Sequence, residues 1–201
     1  MDRLIEGYRR FRATRWPEQH RVYASLAEGQ APRFLVIACC DSRVDPATIF
    51  DAAPGEIFVI RNVANLVPPF EEGAGLHGTS AAIEFAVRRL KVETILVLGH
   101  ARCGGITAAL DTQGNPGTTF LNGWIGLIEP AVRNLARMQD DPQTALERES
   151  VRLSIGRLLT FPFIAEPVAR GELKLEGARF GIADGQLEVL DRRTGLFKDV
   201  V

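Results

Sequence analysis

The run Phe34-Leu35-Val36-Ile37-Ala38-Cys39-Cys40-Asp41-Ser42-Arg43 carries an apolar stretch straight into a thiol, an acid and a guanidinium. A short β-branched-rich run bounded by Pro32 and polar residues reads as a buried strand. In an open parallel sheet, ligands and chemistry collect just beyond the carboxyl ends of the strands. Side chains two apart along an extended segment share a face. Extension continued past Ala38 therefore projects Cys39, Asp41 and Arg43 together, and turns Ser42 and Cys40 away, with Cys40 left to core packing.

A second run repeats the design. Thr94-Ile95-Leu96-Val97-Leu98 leads into Gly99-His100-Ala101-Arg102-Cys103-Gly104-Gly105. His100 and Cys103 stand three apart, the spacing that puts two side chains on one face of a helical turn. Cys39, His100 and Cys103 then form a set of two thiolates and one imidazole, with Asp41 within reach as an alternative fourth ligand. Sulfur and nitrogen donors together favour zinc over the oxygen-loving cations.

Around these runs the chain reads as strand, helix, strand, helix. Residues 1–29 form a helical arm, with Leu4, Tyr8 and Phe11 on one stripe, Val22, Tyr23 and Leu26 on another, and a break at Trp16-Pro17. This arm either packs on another subunit or folds back on its own domain. Asp45-Pro46 caps a short helix, and Ala53-Pro54-Gly55 turns into a strand over 56–60. The Pro- and Gly-rich loop 67–78 is a candidate site wall. Thr79 or Ser80 caps a helix with Ile83, Val87 and Leu90 on its apolar stripe. A helix runs from Cys103 to about Leu110, and Gly114-Asn115-Pro116-Gly117 reads as a turn. An amphipathic helix over 121–138 bends at Pro130, another runs from Asp141-Pro142 to about Leu159, and Gly171 ends a short one. Residues 173–190 alternate around Asp184-Gly185, a hairpin signal. The expected fold is one α/β domain over 1–201: a mostly parallel central sheet flanked by helices, an N-terminal helical arm and a C-terminal β-hairpin.

Composition closes off several functions. A net charge of −1 over 201 residues gives no electrostatic footprint for nucleic acid or an anionic membrane. No apolar run approaches the roughly 20 residues of a membrane span. Met1-Asp2-Arg3-Leu4-Ile5-Glu6 lacks a secretory apolar core, and three cysteines argue for metal or catalysis rather than a disulfide framework. The expectation is a cytoplasmic chain with no nucleic-acid or membrane partner.

Cys39-x-Asp41-x-Arg43 followed by His100-x-x-Cys103 resembles the signature of the β-class carbonic anhydrases. Pro54-Gly55-Glu56, Arg61-Asn62-Val63-Ala64-Asn65, the Ala81–Val87 block, Gly104-Gly105 and Phe161-Pro162-Phe163 resemble further family blocks. The resemblance covers about residues 30–197. It implies zinc-dependent reversible hydration of CO2 to bicarbonate and a proton, with zinc held by Cys39, His100 and Cys103. It further implies attack by zinc-bound hydroxide that the Asp41–Arg43 pair orients, the pair also locking Asp41 away from the metal. Gln30, Phe58, Val63, Phe85 and Gly104 match substrate-binding positions, Phe85 replacing a frequent tyrosine. A homodimer or homotetramer with its site at the subunit interface is implied as well. Val36 stands where members with a regulatory bicarbonate pocket carry tryptophan, so the resemblance is to the unregulated type although Arg61 is present. Two other functions fit the same donors: hydrolysis of carbonyl sulfide or carbon disulfide, and a structural zinc site that Asp41 closes permanently. His77 and Arg102 read as a loop histidine and an outward-pointing residue.

Overall fold

The computed structural model describes residues 1–73, 75, 77–113, 119–135 and 141–200. Among these the chain runs α1 (Asp2–Ala27), β1 (Phe34–Cys39), α2 (Pro46–Ile49), β2 (Ile57–Asn62), a 3-10 turn (Val63–Asn65) and α3 (Gly78–Glu84). It continues through β3 (Thr94–His100), α4 (Gly104–Asp111), α5 (Phe120–Ile125), a 3-10 turn (Gly126–Ile128), α6 (Glu129–Val132) and α7 (Pro142–Leu158). It ends with α8 (Pro162–Ala169), β4 (Lys174–Phe180), β5 (Leu187–Asp191) and β6 (Leu196–Asp199).

The strands form one sheet in the order β2-β1-β3-β4-β5-β6, parallel from β2 to β4 and antiparallel thereafter. β1 lies between β2 and β3, and Leu35 to Cys39 are all buried, which is why this strand is continuously apolar rather than alternating. Leu35, Ile37, Ile83, Ile95, Val97, Leu158 and Leu175 form the core on one face, and Val36, Ala38, Leu98 and Ala178 a smaller one on the other. Each fully buried aliphatic side chain contributes about 1.5–3 kcal/mol.

From β1 the chain turns to β2 on one side, and from β2 it crosses to β3 on the other. The sheet thus opens a crevice between the carboxyl ends of β1 and β3, the place where such folds bind ligands. α7 seals the crevice from behind through a buried stripe that includes Glu147, Ser150, Val151, Ser154, Ile155 and Leu158. It lies very close to β3. A Cβ at Gly99 would stand 2.8 Å from Val151 Cγ2, so only glycine fits beside His100.

The α/β class and the hairpin stand as expected, but several local readings change. α1 does not break at Pro17 and is continuous over 26 residues. Side chains on both sides of the proline bridge it: Trp16 stacks on Tyr23 at 5.2 Å, Phe11 packs edge-on to both, and Arg12 lies 4.7 Å from the Trp16 ring. α3 starts at Gly78 with His77 at its cap position, two or three residues earlier than Thr79 or Ser80 suggests, and widens into a π-helical turn over Phe85–Leu90. The single helix expected over 121–138 is split into α5, a 3-10 turn and α6, because Pro130 and Gly126 interrupt it; residues 136–138 lie outside the described residues. The turn at Gly114–Gly117 also lies outside them. β6 is an additional strand, paired with β5 through the turn that Gly195 makes at φ 74°. No described helix is long and apolar enough to cross a membrane.

Candidate metal centre

Cys39 ends β1 opposite Asn62, and His100 ends β3 opposite Phe180. Because Ala38 pairs with Leu98, the two side chains leave the sheet within one residue of the same level. Cys103 follows at the cap position of α4, after a turn in which Arg102 takes the left-handed region at φ 53°. That conformation costs an ordinary residue about 1–2 kcal/mol and needs outside support. Support comes from the Ala101 N–H donating to the Phe180 carbonyl at 2.8 Å, and from Arg43 Nη2 donating to the Arg102 carbonyl at 3.1 Å.

The donor atoms of Cys39, His100 and Cys103 lie within 4.8 Å of one another, and all three residues are buried. The two sulfurs are 3.8 Å apart. His100 Nδ1 stands 2.9 Å from the Ala101 carbonyl, so that nitrogen carries the ring proton and Nε2 presents a lone pair. Nε2 is the one buried side-chain nitrogen or oxygen among the described residues with no hydrogen-bond partner. A buried polar atom left this way is costly, and a cation between the thiols would satisfy it. The residues therefore fit a thiolate- and imidazole-seeking metal.

The thiols are electrostatically unequal. Hydrogen bonding from Cys103 lowers the pKa of Cys39 against the opposing effect of burial, helped by His100 and the backbone N–H groups of Asp41 and Ala64. The same hydrogen bond between the two sulfurs, and then burial, raise that of Cys103. For His100, burial disfavours the charged ring, but the neighbouring Cys39 sulfur and the Ala101 carbonyl outweigh it and the pKa is raised.

Asp41 lies at the rim, its Oδ2 4.0 Å from His100 Nε2. Side-chain hydrogen bonds from Arg43 hold its carboxyl far below the usual carboxylate range. The chain is not extended here; a turn brings Arg43 back onto Asp41, and Cys40 is exposed rather than packed in the core. Cys40 instead lines a hollow of about 530 Å³ with Val63, His77, Thr79 and Trp124, to which Pro68 and Gly78 also contribute. Arg61 braces the segment from beneath, donating to the carbonyls of Cys39 at 2.9 Å and Asp41 at 2.6 Å.

The other sequence-derived site residues divide into two groups. Val63 and Gly104 adjoin the centre: Val63 belongs to the apolar cluster that holds Cys39 and Cys103, and Gly104 opens α4. Phe58, Phe85 and Gln30 do not adjoin it in one protomer. Phe58 pairs in register with Leu35, four residues or about 13 Å of strand before Cys39. It packs on the core of the Leu35 face and on Phe85, ring centroids 5.9 Å apart. Gln30 is exposed between α1 and β1.

Sequence reasoning missed the residues behind Cys103. Glu147 Oε1 accepts from the Cys103 N–H at 3.3 Å and from Gln143 Nε2 at 2.8 Å. Its Oε2 accepts from Arg179 Nε at 2.9 Å. Trp124 Nε1 likewise donates to the Val63 carbonyl at 2.8 Å. The readable signal was a glutamate at a core position of the α7 stripe.

Comparison with known proteins supplies the context for this geometry. A family model described as "Carbonic anhydrase" matches residues 34–187. "Beta carbonic anhydrase 3" of Arabidopsis thaliana is 35% identical over 204 residues, covering 96% of this chain and 79% of that protein. The solved β-carbonic anhydrase CcaA is 31% identical with a TM-score of 0.92, covering all of this chain and 92% of the other. One of two tetrameric β-carbonic anhydrases of Sordaria macrospora is 30% identical with a TM-score of 0.82, covering 94% and 96%.

Proposed function

From the premise that the chain belongs to the β-class carbonic anhydrase family, we propose that it catalyses zinc-dependent, reversible hydration of CO2 to bicarbonate and a proton. The observation that carries this reading is the buried Cys39–His100–Cys103 triad with a free lone pair on His100 Nε2. These three residues would hold zinc, which when bound would supply a Lewis acid that promotes ionisation of water; with two thiolates cancelling its formal charge, that ionisation would need a higher pH than in a three-histidine site.

The chain's own residues do the rest. Asp41 accepts a hydrogen bond from the attacking water and so aims its lone pair at CO2. Arg43 grips both carboxylate oxygens, keeps Asp41 ionised and holds it away from the metal; this arrangement favours an open site over a structural tetrahedron closed by Asp41. Val63, in the cluster of the ligands, offers CO2 an apolar wall, and Gly104 leaves room at the mouth, since a Cβ there would meet nothing within 4 Å.

Phe58, Phe85 and Gln30 stand apart from the triad of their own protomer, and Phe85 is 45% exposed. We propose that they reach the site of a second subunit, as a homodimer or a homotetramer would allow; solved relatives from Sordaria macrospora are tetrameric. The arm α1, with no buried residue of its own, would join in that contact. The whole of 1–201 acts as one domain in this reading, in the cytoplasm.

Stopped-flow CO2 hydration on protein of known zinc content, scanned from neutral to alkaline pH, tests the proposal. Activity that scales with zinc and climbs with pH is expected. Zinc-loaded protein that stays silent across that range would overturn it and direct attention to carbonyl sulfide and carbon disulfide.

A further inference from the structure

Glu147 is a carboxylate with 1% of its surface exposed, on the apolar stripe of a helix. A buried ion pair is weak evidence for stability, because desolvation offsets most of the attraction. Its presence calls for another account, and its contacts provide one. One carboxylate oxygen faces the turn that carries two of the three metal-ligating residues, and the other is held by Arg179 of β4.

α7 approaches that turn with two side chains one helical turn apart. Glu147 Oε1 accepts from the Cys103 N–H, and Gln143 Nε2 donates to the Cys103 carbonyl at 3.2 Å and to Glu147 Oε1. Thr107 Oγ1 donates to Gln143 Oε1 at 3.2 Å, closing the ring onto α4. The peptide groups on both sides of Cys103 are thereby fixed, next to an Arg102 backbone that would not hold its left-handed turn unaided. Arg179 of β4 completes the arrangement: its guanidinium reaches Glu147 Oε2 at 2.8 Å through Nη2, and Glu188 at 3.4 Å through Nη1. Glu188 in turn takes Arg148 at 2.7 Å, so the charges alternate along a chain running from the metal site to the C-terminal hairpin.

Resting on the metal reading above, we propose that Glu147, held by Arg179, is the positioning residue for Cys103: it fixes the sulfur where the other two donors can share a metal with it. Glu147 touches neither substrate nor metal and acts through the Cys103 backbone. Partners of this kind behind metal ligands change affinity by about 10- to 100-fold when removed.

The test is zinc competition against a chromophoric chelator on the full chain, with a thermal melt of each metal-free protein. Glu147→Gln is expected to weaken zinc by about 10- to 100-fold, and Gln143→Leu by less. Leu158→Ala, which empties a buried position near the far end of α7, should lower the melt and leave affinity as it was. Wild-type affinity in folded Glu147→Gln overturns the inference, as does an equal loss in Leu158→Ala. Should Glu147→Gln fail to fold, unchanged affinity in Gln143→Leu overturns it instead. Wild type that takes up no zinc would sink the metal reading itself, a result distinct from both.

Discussion

Arg43 holds Asp41 in a bidentate grip, Nε to Oδ1 at 2.8 Å and Nη2 to Oδ2 at 2.6 Å, while the same Nη2 also reaches the Arg102 carbonyl. One side chain therefore ties the rim carboxylate to the turn between His100 and Cys103. The Arg43 backbone N–H adds a third bond to Asp41 Oδ1 at 3.0 Å. One guanidinium thus both orients Asp41 and adds to the support of the ligand turn.

Removing that guanidinium should cost activity far more than stability. The Arg43 side chain is 48% exposed, and pairs this open to solvent add little to the stability of a fold. Arg43→Ala should stay folded and keep stoichiometric zinc, while CO2 hydration falls by about 10²-fold as Asp41 loses its aim. Zinc analysis beside stopped-flow kinetics checks it; full zinc with unchanged turnover would refute the role.

Zinc uptake should weaken as pH falls, and the pKa directions give the sign. Cys39 is lowered and enters metal binding already ionised, whereas Cys103 is raised and must release a proton. Asp41 is lowered: the stability it contributes is fully present above its unfolded value and lost only as pH falls through the folded one, in strong acid. Apparent affinity measured between about pH 6 and about pH 8 should therefore rise with pH, with proton release traceable to the ligands. A flat profile would show that Cys103 is already deprotonated in the metal-free protein.

The strand ends and the ligand triad were legible because an apolar run stopping at Cys39, and again at His100, encodes both the strand and its polar end. Helix interruptions were less so. Pro17 is a breaker by local rules, yet Phe11, Trp16 and Tyr23 hold α1 together across it. Cys40 looked like core by alternation, but the strand ends one residue earlier and the turn of Arg43 onto Asp41 turns its thiol outward. Glu147 stayed hidden because its partners, Cys103 and Arg179, lie 44 and 32 positions away. Local patterns carry no trace of such a contact.

The glycine pair opening α4 should respond unequally. A Cβ on Gly104 would enter open space, and alanine there should be neutral or stabilising by up to about 1 kcal/mol. A Cβ on Gly105 would stand 2.7 Å from Val63 Cγ1 and 3.0 Å from Ala64 Cβ, both in a packed turn. Gly105→Ala should therefore cost about 1–3 kcal/mol by overpacking. Thermal melts of the two variants decide the order. Any loss of CO2 hydration in a stable Gly104→Ala would then report contact with substrate.

The arm should be dispensable for the protomer and needed for the assembly. α1 buries none of its residues, and near its end Leu26 lies over Gly55, where a Cβ would come within 2.5 Å of Leu26 Cδ2. Leu4 at 73% exposure and Tyr8 at 61% are left without cover on the protomer. Deleting residues 2–22 keeps that Leu26 contact and should leave the fold intact by circular dichroism. Light scattering should then show a smaller particle than the full chain gives. If Phe58 and Phe85 serve a neighbour's site, CO2 hydration should fall in step with the loss of assembly. An unchanged particle size would place the arm on its own protomer, and an unchanged rate in a dissociated protein would return the whole site to one subunit.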